Sequence, residues 1–198
     1  MILVTCAVEA ELDFLAPRDD VATLVTGVGP VEAACSVTAA LAQRPYRLLI
    51  NAGIAGAFGD TPRIGDGVAV KDDSMEIGLE DGAPLALPNG ERVICTARSD
   101  ERLVTGLDAA GFRVVRGITV SLVTATTTTA RRLASELRAE IETMEGFAAL
   151  RAAERCGVPA MEVRGISNRC GARQTSGWDF KAGRDGLRRI LGALMELL

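Results

Sequence analysis

Apolar positions along the chain fall into short continuous runs that alternate with stretches where they recur at helical spacing. Residues 2–8 form an apolar run suited to a buried strand. A second strand is expected at 21–26. Gly27-Val28-Gly29-Pro30 then makes a turn, with Pro30 at a first helical position before an alanine-rich helix over 31–43. A third strand at 47–51 ends in the glycine-rich segment 52–57. Strands follow at 65–71 and 91–97, separated by an acidic, Gly- and Pro-containing loop over 72–90. Ser99 is the expected N-cap of a helix over 100–110. Next come a strand-rich segment at 112–124, a helix over 127–137, and a short strand at 140–144. A helix over 146–156, stopped by Gly157 and Pro159, precedes a strand at 160–167 and a closing helix over 179–198.

Strands alternating with helices, several of them apolar throughout, place the chain in the α/β class. The expected architecture is a single-domain three-layer fold, with a central mixed, largely parallel sheet flanked by helices. No repeat or linker divides residues 1–198, and the 198 residues suit one core.

Composition narrows the chemistry. The 22 Lys and Arg stand against 26 Asp and Glu, a net charge of -4, with no basic stripe interleaved with aromatics. A nucleic-acid partner is therefore not expected. Arg184, Arg188 and Arg189 lie at helical spacing and read as a solvated helix face. No apolar run approaches the roughly 18 residues of a membrane span, and the N-terminus reads as a core strand and not as a signal peptide. The five cysteines are irregularly spaced without a CxxC, which suits reduced thiols and a cytoplasmic setting. Histidine is absent. That removes Ser-His and Cys-His nucleophiles, His-ligated zinc and imidazole acid–base work together.

Ligands of such sheets sit beyond the carboxyl ends of strands. Glu9 and Glu11 follow the first strand and read either as carboxylates at a helix start or as acids of a site. Gly27-Val28-Gly29 lacks the third glycine of a dinucleotide fingerprint, and no acidic residue follows a second strand at the right distance. Glu145 leaves a buried strand behind Met144. It either caps the following helix or accepts two hydrogen bonds from a ribose diol. Asn168 ends another strand, as a turn former or as an amide able to meet a purine at N7 and O6.

AVEAEL at the N-terminus, TGVGPVEAA, INAGIAGA, ETMEG and VRGISN occur in that order over nearly the whole chain. Together they resemble the purine nucleoside phosphorylase and methylthioadenosine nucleosidase superfamily. ETMEG and VRGISN, followed by SGWDF, are most similar to the futalosine hydrolase family. The resemblance implies hydrolysis of an N-glycosidic bond, with hypoxanthine released from futalosine on a route to menaquinone. It also implies a role for particular residues. Glu11 matches the glutamate that activates the attacking water, Gly56 a glycine lining the nucleoside pocket, and Ala125 and Thr126 the backbone that meets the purine. Met144 matches the methionine packed on the ribose, and Glu145 the carboxylate on its diol. Asn168 stands where adenine-specific members carry an aspartate that protonates N7, which points to a 6-oxopurine.

A phosphorylase would need cations or free amides for phosphate. Glu11 would repel that dianion, and Ile54 stands where phosphorylases tend to carry a serine, so water is the expected nucleophile. No metal and no cofactor is implied. The expected partner is a small-molecule purine nucleoside, bound by a homodimer or larger homo-oligomer in which a neighbouring subunit completes the 5′ pocket. Arg169 and Arg173 are candidate cations for the carboxylate on the 5′ group, or loop charges facing solvent. Trp178 is a candidate wall of that pocket or an anchor for the last helix.

Overall fold

A computed structural model of the chain describes all residues except 80–82, 84, 92 and 172–176. The first strand, β1 (Ile2–Cys6), is buried along its whole length. A short 3₁₀ turn follows at Glu9–Glu11. β1 lies between β2 (Val21–Val25) and β3 (Leu48–Ala57), parallel to both, with Val4 level with Thr23 and Ile50. Between them runs α1 (Pro30–Gln43), with Pro30 in its first turn behind Gly29 at φ 100°. The remaining elements are β4 (Gly67–Met75), β5 (Thr96–Arg98), α2 (Glu101–Ala109), β6 (Arg113–Thr119), α3 (Thr127–Glu136), β7 (Ile141–Thr143), α4 (Gly146–Arg155), β8 (Ala160–Arg169) and α5 (Phe180–Glu196).

Strand alternation divides the core between two helical layers. Ile2, Val4 and Ile50 face α2 and α5 through Leu107, Leu187 and Ile190. Leu3 and Leu49 face α1 and α4 through Val37, Phe147 and Leu150. The sheet between them is mixed and largely parallel. Its antiparallel pairs are β4 with β5, β4 with β8, and a short β3–β7 contact. That short contact, Gly56 with Glu142 and Ala57 with Ile141, closes β3, β8, β4, β6 and β7 into a ring. Apolar side chains from all five strands, among them Ala57, Val68, Val115, Ile141 and Ile166, fill its interior. The hydrophobic runs in the sequence carry no sign of this closure, which depends on two residue pairs distant along the chain.

Three expectations about elements are corrected. The third strand does not stop at Asn51: β3 continues through the glycine-rich segment to Ala57, buried except at half-buried Ile54. Its glycines mark close approach. A Cβ on Gly53 would fall on the Arg164 guanidinium and within 2.8 Å of Glu11 Oε1, and one on Gly56 would meet Cys170 Sγ and Asn168 Nδ2. β4 also extends into the acidic stretch read as loop, because Asp72 and Asp73 pair with β5 and β6. Finally, Asp100 and not Ser99 caps α2, accepting from the Arg102 and Leu103 amides, while the Ser99 hydroxyl donates to the Val70 carbonyl.

α5 docks closely because glycines meet across the interface. A Cβ on Gly165 would collide with the Gly183 carbonyl, and one on Gly186 with those of Gly65 and Asp66. The exit of β8 is thereby held against the start of α5, where Asn168 lies near Trp178 and Phe180.

Candidate active site

A cavity of about 190 Å³ opens beyond the ends of β1, β3, β7 and β8. Glu11, Gly56, Met144, Glu145 and Asn168 all line it, with Val28 and Trp178 towards its mouth. These residues come from segments more than 150 positions apart, brought to one place by the parallel register of β3 with β8 and by the closure at β7.

Glu11 is 4% exposed, and its carboxylate is held by main chain. Oε2 accepts from the amides of Ala7 (2.9 Å) and Val8 (3.2 Å), and Oε1 accepts from Ile54 at 2.9 Å. Burial pushes its carboxyl above the ordinary range, partly offset by the Ile54 amide and the Arg164 charge. The same setting lifts the Cys6 thiol to about 12, through burial and then the nearby Glu11. Cys6 is therefore a neutral core residue behind the site.

Glu145 occupies the N-cap position of α4, but its side chain makes no capping bond. Instead Oε1 accepts from the Gly29 amide at 2.8 Å. The Gly-Val-Gly turn thus clamps a carboxylate. Positive φ at Gly27 (87°) and Gly29 (100°) turns the chain so that this amide points inward.

Asn168 is oriented from both sides of its amide. Oδ1 accepts from the Ser167 hydroxyl at 2.8 Å, and Nδ2 donates to the Arg169 carbonyl at 3.3 Å. One Nδ2 hydrogen is left to reach into the cavity.

Other expected residues lie elsewhere. Ala125 and Thr126 are exposed and do not line the cavity. Thr126 caps α3 by accepting from the Thr129 amide, and Val123 takes the lining position. The Arg169 guanidinium is tied to the carbonyls of Pro62 (2.6 Å) and Asp60 (2.7 Å), away from the lining. Arg173 lies outside the described residues.

Two charged groups at or beside the cavity were missed in the sequence. Glu142 lines the cavity and accepts from the Thr124 amide and hydroxyl, and burial raises its carboxyl above the ordinary range. It pairs with Gly56 from β7 just as Asn168 does from β8. Arg164, 1% exposed, donates from Nε to Glu162 at 2.9 Å and hydrogen-bonds Asn51. Its Nη1 and Glu11 Oε1 both lie over the Cα of Gly53, close enough for the two charges to act on each other without a direct ion pair. The acidic residue two before Met144 was the available signal for Glu142; an arginine inside an apolar run was that for Arg164.

Residues 8–196 match the family model of the phosphorylase superfamily. The chain belongs to the phosphorylase superfamily. Among its relatives, futalosine hydrolase of Thermus thermophilus is 35% identical over 179 residues, covering 87% of this chain and 80% of the relative. Futalosine hydrolase of Streptomyces coelicolor is 31% identical over 185 residues, covering 88% and 78%. The native structure of futalosine hydrolase from Helicobacter pylori superposes with a TM-score of 0.83 at 15% identity, covering 100% of this chain and 97% of that one. The Neisseria meningitidis 5′-methylthioadenosine/S-adenosylhomocysteine nucleosidase in complex with methylthio-immucillin-A gives 0.82 at 15%, covering 100% and 99%. At such identities these two superpositions speak for the fold. Within this superfamily member the cavity lies where the strand-end rule places a ligand.

Proposed function

We propose that the chain hydrolyses the N-glycosidic bond of futalosine, releasing hypoxanthine and leaving dehypoxanthine futalosine, a step towards menaquinone. The observation that carries the reading is the convergence of Glu11, Glu145 and Asn168 on one cavity, in a chain at least 31% identical to two futalosine hydrolases.

The chemistry follows from what each group can do. Cleavage passes through an oxocarbenium-like ribosyl cation. Glu145 takes the ribose diol, Met144 packs on the sugar, and Glu11 accepts the proton of the attacking water. Asn168 is too weak an acid to give up a proton. Its free Nδ2 hydrogen stabilises charge developing at N7 and O6 of the leaving base. Hypoxanthine also presents a donor at N1, and Glu142, on the other side of Gly56, supplies an acceptor. Water is favoured over phosphate because the Ile54 amide, a natural phosphate ligand, is already taken by Glu11.

Hypoxanthine release from futalosine in phosphate-free buffer, at a rate unchanged by added phosphate, tests the reading. Release only after phosphate is added overturns it. Asn168→Asp is expected to move the preference between futalosine and its 6-amino counterpart towards the latter by about tenfold or more. An unchanged ratio of hypoxanthine to adenine release removes Asn168 from the base edge.

The cavity is smaller than the roughly 300–1,000 Å³ that encloses a drug-sized ligand, so the 5′ substituent extends to the rim. There Val28 (55%), Trp178 (52%) and Val8 (39%) stand exposed. A second copy of the chain covers this rim in a homodimer or larger assembly, and sedimentation velocity showing a monomer at micromolar concentration removes that expectation. No described helix is long and apolar enough to cross a membrane. With all five thiols free, the enzyme acts in the cytoplasm.

A further inference from the structure

Behind the cavity, two carboxylates share a site with almost no solvent. Asp73 and Glu162 are both 0% exposed, and both pack on the Cα of Gly146, where a Cβ would lie 2.6 Å from Glu162 Oε2 and against Asp73 Oδ2. Asp73 accepts from the hydroxyls of Thr119 (2.8 Å) and Thr143 (3.0 Å). Glu162 Oε1 accepts from Arg164, while Oε2, fully buried, has no donor of its own. Arg164 is the one cation among these groups. Glu162 faces it from the same strand, Glu11 from the turn after β1, and Glu145 from the start of α4. Glu11 in turn faces Arg164, Glu145 and the Cys6 thiol, with Glu9 nearby.

One arginine cannot neutralise four carboxylates in so dry a place. We propose that Asp73 carries a proton, donates it in a hydrogen bond to Glu162 Oε2, and so makes Asp73 and Glu162 a positioning pair that holds Arg164 and, through it, the charge state of Glu11. Two carboxylates this close and this buried do not both ionise. Burial and the neighbouring Glu162 charge push the Asp73 carboxyl well above its ordinary range. Glu162 then remains the anion that draws the Arg164 charge away from Glu11, leaving Glu11 basic enough to take a proton from water.

The inference rests on the hydrolase reading for its kinetic test. Glu162→Gln is expected to lower kcat by about tenfold or more with KM little changed. Its acid limb moves to lower pH, because the released Arg164 acts on Glu11 with full charge. Asp73→Ala shifts the limb in the same direction, since Glu162, without its donor, takes up a proton from solvent and no longer offsets Arg164. Asp73→Asn, which keeps a neutral donor, restores most of the loss. An unmoved acid limb in Glu162→Gln, or an Asp73→Asn enzyme no better than Asp73→Ala, overturns the proposal.

Infrared spectroscopy reads the proton without activity. A protonated-carboxyl band persists in the wild type at pH 8 and is lost in Asp73→Asn; absence of that band in the wild type also overturns the proposal. A band present in a chain that releases no hypoxanthine instead overturns the hydrolase reading.

Discussion

Glu11→Gln is expected to lower kcat by about 10²- to 10⁴-fold while substrate still binds. The replacement has the same size and can still accept from Ile54 or from the Ala7 and Val8 amides, so the cavity keeps its shape. What is lost is the ability to take a proton. Single-turnover release of hypoxanthine, set beside calorimetric binding of futalosine, separates the two effects. Turnover within about threefold of wild type removes Glu11 from the role of base. The pH profile carries the same assignment. A general base works only when ionised, and burial holds Glu11 above the usual carboxylate range. The acid limb of kcat/KM in the wild type should therefore lie above that of an ordinary glutamate, and rates should fall as pH drops through it.

Gly146→Ala is expected to cost about 3 kcal/mol or more, lowering Tm by roughly 6–12 °C. The sign is informative. Gly146 opens α4 with no positive φ, and alanine at a helical glycine ordinarily stabilises by about 1 kcal/mol. Here the added methyl would overlap both oxygens of Glu162 and one of Asp73. Neither side chain is the loose end of a surface residue. Both are fully buried, and Thr119, Thr143 and Arg164 fix them. The shift would also displace Glu145, the preceding residue, so kcat/KM should fall with stability. Differential scanning calorimetry decides: a Tm within about 2 °C of wild type means the two acids can move aside, and the tight pair described above does not exist.

Much of the layer order was legible in the chain, because apolar runs and Gly-Pro punctuation act locally. The β2 strand and helices α1, α3 and α4 fall within a residue or two of where the pattern puts them. Glycine was the recurrent source of error. At Gly29 it does what a turn glycine does, with φ 100°. At Gly53 and Gly56 it sits inside a buried strand, at Gly56 beside a register shift against β8, because a side chain from elsewhere needs the space. The sequence alone does not distinguish these two uses. Acidic residues misled for a related reason. Asp72 and Asp73 read as loop because charge is rare in a core, yet Asp73 is buried with partners 46 and 70 residues away. Of the residues the motif resemblance singled out, Glu11, Met144, Glu145 and Asn168 line the cavity. Val123 replaced Ala125 and Thr126 because the cavity wall is set by where the chain turns after β6, which no motif records.

The three donors that hold Glu11 belong to the peptide backbone at positions 7, 8 and 54. Any amino acid but proline provides such a donor. Side chains at these three positions can therefore be exchanged over generations without removing the donors. An engineered change of substrate is best begun there, with proline as the substitution to avoid.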